Sequence, residues 1–153
     1  TRKRSSAASD VYKRQTHNPR AISKVEMEDM LIGSQVEWLG RVGDMPQRLN
    51  KATLIVYPSY YGEGIPRVLL EACAAGRAIV TTDHPGCREA VEDGINGRLV
   101  PVHNVEATAQ AIRTILFDTE KRCAMEKASR EKAEKEFDIH TIVEQTVNLY
   151  GQI

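Results

Sequence analysis

The run TLIVY (53–57) constrains the fold more than any other stretch of this sequence. It is almost wholly apolar, rich in β-branched residues, and ended by Pro58. A strand with one face in water alternates polar and apolar residues. A run without alternation suits a strand buried on both faces, as in a parallel sheet covered by helices on each side. AIVTT (78–82) and RLV (98–100) read as the next strands, and QVEWLG predicts a further strand at 36–39.

Helical patterns separate these runs. Ser23 and Glu26 form a capping box ahead of a helix to Ile32, which Gly33 stops. Asp44, Pro46 and Gln47 open a second helix to about Lys51. Pro66 to Ala75 reads as a helix closed by Gly76, and a short helix is expected near 87–92. Asp93-Gly94 and Asn96-Gly97 are turn signals before RLV. Beyond residue 104 the pattern is helical throughout. Val105, Ala109, Ile112 and Leu116 recur at helical spacing, and residues 119–136 are charge-rich with a thin stripe of Ala124, Ala128 and Phe137. Ile139, Ile142, Val143, Thr146, Val147 and Tyr150 make the last helix amphipathic, and ordinary core packing is expected of it. Alternating strands and helices predict an α/β fold with a parallel sheet. Ligands of such sheets bind outside the carboxyl ends of the strands. The candidate loops are therefore 40–44, 58–66, 82–87 and 101–104.

Composition narrows the function classes. With 153 residues, one domain is expected, and 41% hydrophobic against 27% charged residues excludes a disordered or fibrous chain. Five Tyr, two Phe and one Trp are too few for a single-stranded nucleic-acid platform, so no nucleic-acid partner is expected. No apolar run approaches the ~18 residues of a membrane span. Net charge is zero, yet residues 1–20 hold six basic groups and one acid, leaving 15 basic and 20 acidic groups in 21–153. The basic head reads as a solvated, disordered tail. Within it, SSAASDVYKRQ resembles translated adapter read-through. Residues 1–15 are accordingly set aside as a non-native scar, and 16–153 are taken as a partial domain. Three cysteines without a CxxC, and four scattered histidines, support neither a disulfide framework nor a metal site. Reduced thiols and the lack of a signal peptide point to the cytoplasm.

The loop PSYYGEGIP (58–66) runs straight into the helix RVLLEACAAG. Gly62 and Gly64 let a backbone approach a ligand closely. A helix start offers unpaired N–H groups and about half a positive charge, a seat for a phosphate or a sugar. Pro66 has no N–H, so the donors would be those of Gly64, Ile65, Arg67 and Val68. An ordinary strand–loop–helix turn with no ligand would look the same. Glu63 and Glu71 stand eight positions apart, ~12 Å along a helix. Paired carboxyls in glycoside hydrolysis stand closer, about 5 Å apart or under ~10 Å. Two separate hydrogen-bonding tasks suit the spacing better. Glu63 could reach sugar hydroxyls, and Glu71 could accept hydrogen bonds from a ribose diol. The alternative for Glu71 is an exposed helix stripe, but Leu69, Leu70, Ala72, Cys73, Ala74 and Ala75 surround it. A carboxylate so placed needs a partner.

At this point the residues meet a known family. PSYYGEGIPRVLLEACAAGRAIVTTDHPGCREAVEDGINGRLVP resembles the nucleotide-binding half of glycosyl transferases group 1, and weaker similarity extends the likeness to about 17–150. The resemblance rests on Glu63 and Glu71 with seven residues between, on Asp83-His84-Pro85-Gly86, on Glu89 and on Asp93-Gly94-Ile95-Asn96-Gly97. It implies the C-terminal half of a GT-B fold, an incomplete Rossmann-like doubly wound parallel sheet with C-terminal helices. It implies a retaining enzyme, using a nucleotide-sugar donor and no metal or other cofactor, of the bacterial kind that extends saccharide or lipid-linked acceptors in polysaccharide biosynthesis. By position, Glu71 would hold the ribose hydroxyls. Glu63, the catalytic candidate, would contact the donor sugar and distal phosphate with Gly62 and the backbone of Gly64 and Ile65. Gly40, Arg41 and Val42 would lie beside the nucleobase. Asp83, Pro85 and Gly86 would border the donor pocket, with His84 either functional or a neutral surface residue. Arg67 and Arg77 are read as solvated.

The resemblance also implies what is missing. In the sheet order 3-2-1-4-5-6 the runs at 36–39, 53–57, 78–82 and 98–100 would be strands 3 to 6. Strands 1 and 2, a glycine-rich loop with an Arg and a Lys, and an acceptor-binding N-terminal domain of the same protein would lie outside this chain. TLIVY would then present an unpaired apolar edge. The 153-residue chain is expected to fold poorly or self-associate and to be inactive alone; a monodisperse, cooperatively melting monomer in sedimentation and calorimetry would contradict this. Membrane association, if any, would be peripheral at the inner face. Two rival readings keep Glu71 and the helix start: a nucleotide-sugar epimerase of GT-B shape, which needs no acceptor, and a non-catalytic nucleotide-binding module.

Overall fold

The structure is a computed structural model that describes residues 22–40, 42–62 and 64–151. The chain divides into two compact units, Thr1–Met45 and Pro46–Ile153. In the first, α1 (Lys24–Leu31) opens on the expected capping box: Glu26 N–H donates to Ser23 Oγ at 3.2 Å, and Ser23 N–H to Glu26 Oε2 at 2.8 Å. Residues 36–39 do not form the expected strand. A strand is defined by its ladder, and no strand among the described residues pairs with this segment.

The second unit begins within α2 (Met45–Lys51) and is built on three parallel strands in the order β1 (Ile55–Tyr57), β2 (Ile79–Thr82), β3 (Gly97–Val100). Ile55 faces Ile79, and Ile79 faces Gly97. The period-two geometry of strands divides their side chains between two cores. Ile55, Tyr57, Ile79 and Leu99 join Leu69, Ala72 and Cys73 of α3 (Arg67–Ala74) and Cys87 and Ala90 of α4 (Pro85–Ala90). Leu54, Val56, Val80 and Val100 join Ala111 and Ile115 of α5 (Val105–Phe117). The long α6 (Thr119–Glu136) serves both, giving Met125 to the second core and Ala133 to the first. All four residues of β2 are buried, as a strand between two helical layers requires. The doubly wound α/β expectation holds. Among the described residues β1 pairs only with β2.

Ionic and capping chemistry keeps α6 helical. Asp118 Oδ1 accepts from Lys121 N–H at 2.9 Å, and Arg122–Glu126, Lys127–Glu131, Arg130–Glu134 and Lys132–Glu136 pair one turn apart. Because its few apolar positions are spent on the two cores beside α3 and α5, α6 offers little to its neighbour α7 (Ile139–Tyr150). No residue of α7 is buried, and Ile139, Ile142, Val143, Val147 and Tyr150 are exposed. The expected core packing of this helix is thus not formed. No helix of the described residues is long and apolar enough to cross a membrane.

Candidate functional site

Three loops leave the carboxyl ends of the strands, and the threonines of β2 fasten the first of them. Thr81 Oγ1 donates to Tyr57 O at 2.7 Å, and Thr82 Oγ1 donates to Ser59 O. Asp83 N–H donates to Val100 O at 2.7 Å, which draws the loop after β2 beside the end of β3. The ring of Tyr60 lies 4.6 Å from that of His103, so the loops after β1 and β3 also meet.

Past Tyr61 the first loop opens to solvent. Gly62, Gly64 and Ile65 are exposed, and a Cβ added at either glycine would meet nothing within 4 Å. Neither glycine has a positive φ. Internal packing and backbone conformation therefore place no demand for glycine at these two positions. Pro66 is the buried N-cap, so α3 starts one residue later than the sequence predicts. Pro66 O accepts from Leu69 N–H at 2.9 Å, the first helical bond, which places the N–H groups of Arg67 and Val68 ahead of the bonded turn.

Glu71 stands in the second turn of α3. Its side chain is 32% exposed, between the buried Leu69, Ala72 and Cys73. Its partner is Arg67, whose Nε lies 3.0 Å from Oε1 while the rest of that side chain is 90% exposed. The half-burial read from the flanking residues is correct, and the required partner is one turn nearer the helix start. Arg77, by contrast, is not solvated. Its Nε donates to Ala75 O at 3.0 Å and its Nη1 to Ala52 O at 3.2 Å, tying the end of α3 to the chain before β1.

At the second loop, Asp83 is exposed and takes Arg88 Nε at 2.5 Å. That hydrogen bond holds its carboxyl below the usual range. His84 is the N-cap of α4, its carbonyl accepting from Cys87 and Arg88 N–H, and Pro85 is the first helical residue. The helix thus runs 85–90 rather than 87–92. Gly86 is buried in its first turn, leaving Asp83 and Pro85 as the open part of this border. Gly40, with φ +62°, and Val42 belong to the first unit. Arg41 and Glu63 lie outside the described residues. Three participants escaped the sequence reading: Arg88 as the partner of Asp83, and Tyr60 with His103 as a ring pair between loops. The adjacent tyrosines in an otherwise aromatic-poor chain were the available signal.

The family model for glycosyl transferases group 1 matches residues 20–132. A Campylobacter jejuni protein named N,N'-diacetylbacillosaminyl-diphospho-undecaprenol alpha-1,3-N-acetylgalactosaminyltransferase is 30% identical over 125 residues, which are 82% of this chain and 33% of that protein. The alpha-maltose-1-phosphate synthase of Mycobacterium tuberculosis is 34% identical over 118 residues, 73% of this chain and 30% of that protein. The chain spans about a third of the length of the curated relatives it matches. Among solved structures, Anabaena Alr3699/HepE in complex with UDP superposes with a TM-score of 0.77 at 27% identity, over 84% of this chain and 35% of that one. The sucrose-phosphate synthase of Thermosynechococcus elongatus gives a TM-score of 0.78 at 27% identity, over 90% and 36%. These neighbours have the GT-B architecture. By sequence and by fold together, the chain belongs to the glycosyl transferases group 1 family.

Proposed function

We propose that this chain is the donor-binding part of a retaining glycosyltransferase that moves a sugar from a nucleotide-sugar to a saccharide or lipid-linked saccharide. Family membership supports the class. The neighbours solved with UDP and UDP-glucose support a nucleotide donor, and the undecaprenol-linked name of the Campylobacter relative supports a lipid-linked acceptor. An acceptor of that kind would bring the whole protein to a membrane surface. The observation that carries the reading is Glu71, a carboxylate held half-buried one turn from an open helix start.

In this reading the two oxygens of Glu71 accept hydrogen bonds from the ribose diol. The N–H groups of Gly64, Ile65, Arg67 and Val68 face the diphosphate, where negative charge accumulates as the glycosyl bond breaks. Donors fixed in advance at that place stabilise the departing group more than mobile water does. The open space at Gly62 and Gly64 leaves room for the donor to lie against the backbone. Glu63 takes hydroxyls of the donor sugar, and Asp83, Pro85 and Gly86 border the pocket. The proposal calls for no metal.

Calorimetry with UDP and 2′-deoxy-UDP tests it. A hydrogen bond to a charged group contributes about 1.5–3 kcal/mol, so Glu71→Ala will weaken UDP binding by at least about tenfold. The native chain will prefer UDP over 2′-deoxy-UDP, and the variant will bind both alike. Losing the exposed Arg67 pair changes stability little. Equal affinity of native and variant protein for UDP would remove the ribose assignment.

A further inference from the structure

We propose that Tyr60, Tyr61 and His103 form an aromatic ledge at the carboxyl edge of the sheet that receives the C–H face of a pyranose ring. The inference deepens the donor-site reading above and rests on it for the class of reaction. Tyr60 is the middle member, its ring centroid 4.5 Å from that of Tyr61 with 26° between planes, and 4.6 Å from that of His103 with 46°. The tyrosines come from the loop after β1 and the histidine from the loop after β3, so the ledge bridges two loops that frame the end of β2. It is not a piece of core: Tyr60 is 39% exposed, Tyr61 38%, and His103 is exposed as well.

His103 supplies a second observation. It has φ +58°, the one non-glycine residue with positive φ among the described residues. A side chain in that region costs on the order of 1 kcal/mol, and such strain persists where surrounding structure holds a residue for a purpose. Here His103 is exposed rather than packed in the core, and its ring lies 4.6 Å from that of Tyr60.

The geometry selects the ligand. A flat base held between two rings needs about 7 Å between them, two contacts of about 3.5 Å each. The 4.5 Å spacing of Tyr60 and Tyr61 closes that slot. A ligand ring must instead lie across the outside of the ledge. A pyranose fits, since its axial C–H bonds present an electropositive face to the negative π surface while its hydroxyls stay at the rim. The phenolic oxygens of Tyr60 and Tyr61, 3.3 Å apart, offer that rim a donor and an acceptor together.

Saturation-transfer NMR on the full chain, with methyl α-D-glucopyranoside as probe and UDP present, reads the contact directly. Transfer to the sugar ring protons is expected in the native chain. Binding is expected to weaken by about three- to tenfold in Tyr61→Ala, the range set by one aromatic contact, and to be kept in Tyr61→Phe. His103→Gly guards against misfolding, because glycine relieves the positive φ while removing the ring, and it too should lose the sugar signal. UDP affinity should be unchanged in all three. Loss of the signal when UDP-glucose replaces UDP assigns the ledge to the donor sugar, and its survival assigns it to the acceptor; each supports the ledge. No transfer in the native chain, undiminished transfer in both Tyr61→Ala and His103→Gly, or a parallel loss of UDP affinity in His103→Gly overturns it. Failure of UDP binding with sugar transfer intact would instead strike the ribose assignment and leave the ledge standing.

Discussion

Replacing Gly97 with alanine is expected to destabilise the second unit by about 3 kcal/mol and to lower its melting temperature by roughly 10 °C. The reason is close approach alone, since φ at this position is not positive. Gly97 opens β3 directly opposite Ile79. A Cβ there would collide with the carbonyl oxygen of Ile79 and stand 2.9 Å from Val91 Cγ1. Neither neighbour can yield. Ile79 is in the central strand with no exposed surface, and Val91 is 1% exposed. The ladder between β2 and β3 must therefore part, and β2 carries the threonines that fasten the first site loop. Gly64→Ala is the control, because its added methyl meets open space, and it should melt as the native chain does. Urea unfolding should show a lower midpoint with an unchanged slope for Gly97→Ala. A midpoint equal to that of the native chain would mean that the strands separate by the needed ångström without penalty.

The parts of this fold that were legible in the sequence are those fixed by local pattern. TLIVY reads as a strand because both of its faces are covered, which removes alternation and leaves an apolar run. The capping box at Ser23 and Glu26 is a four-residue device and needs nothing distant. The half-burial of Glu71 follows from the apolar residues around α3, and only its partner had to be seen. Segment 36–39 has strand composition, but a strand exists only with a neighbour, and pairing is not a local property. The amphipathy of α7 says that one side would gain from cover without saying what covers it. Arg77 was misread because a long side chain can carry its charge to distant carbonyls while its stem is enclosed. Asn96-Gly97 reads as turn punctuation, since asparagine at a turn has one signature whether its side chain points to water or inward.

That inward asparagine supports the second large effect: Asn96→Ala should destabilise by about 3 kcal/mol, and Asn96→Asp should make stability fall as pH rises. The side chain has no exposed surface. Its Oδ1 accepts from Glu92 N–H at 2.8 Å, and its Nδ2 donates to Ala90 O at 3.0 Å and lies 3.7 Å from Cys73 Sγ. Ser129 Oγ, from α6, donates to Arg77 O at 2.8 Å and lies 3.2 Å from Asn96 O. One amide thus joins α3, the end of α4 and the start of β3, in surroundings dry enough to push the Cys73 thiol up to about 11. Alanine leaves an N–H and a carbonyl without their partner, each costing about 1–3 kcal/mol when no water replaces it, and a small cavity besides. Aspartate keeps the bond from Glu92 but turns an oxygen toward Ala90 O, so the buried carboxyl favours its protonated form and titrates above its unfolded value. Its stabilising contribution is then complete below the unfolded carboxyl range and is lost as pH rises through the folded value. Thermal melts of both variants from pH 4 to 8 separate the two effects: alanine lowers the midpoint about equally at every pH, and aspartate lowers it progressively. Cys73 lies two residues beyond Glu71 on the same helix, so loosening this amide also frees the carboxylate assigned to the ribose. UDP should accordingly bind Asn96→Ala more weakly even at temperatures where the variant is fully folded, whereas unchanged UDP affinity there would show that α3 holds its place through the apolar core alone.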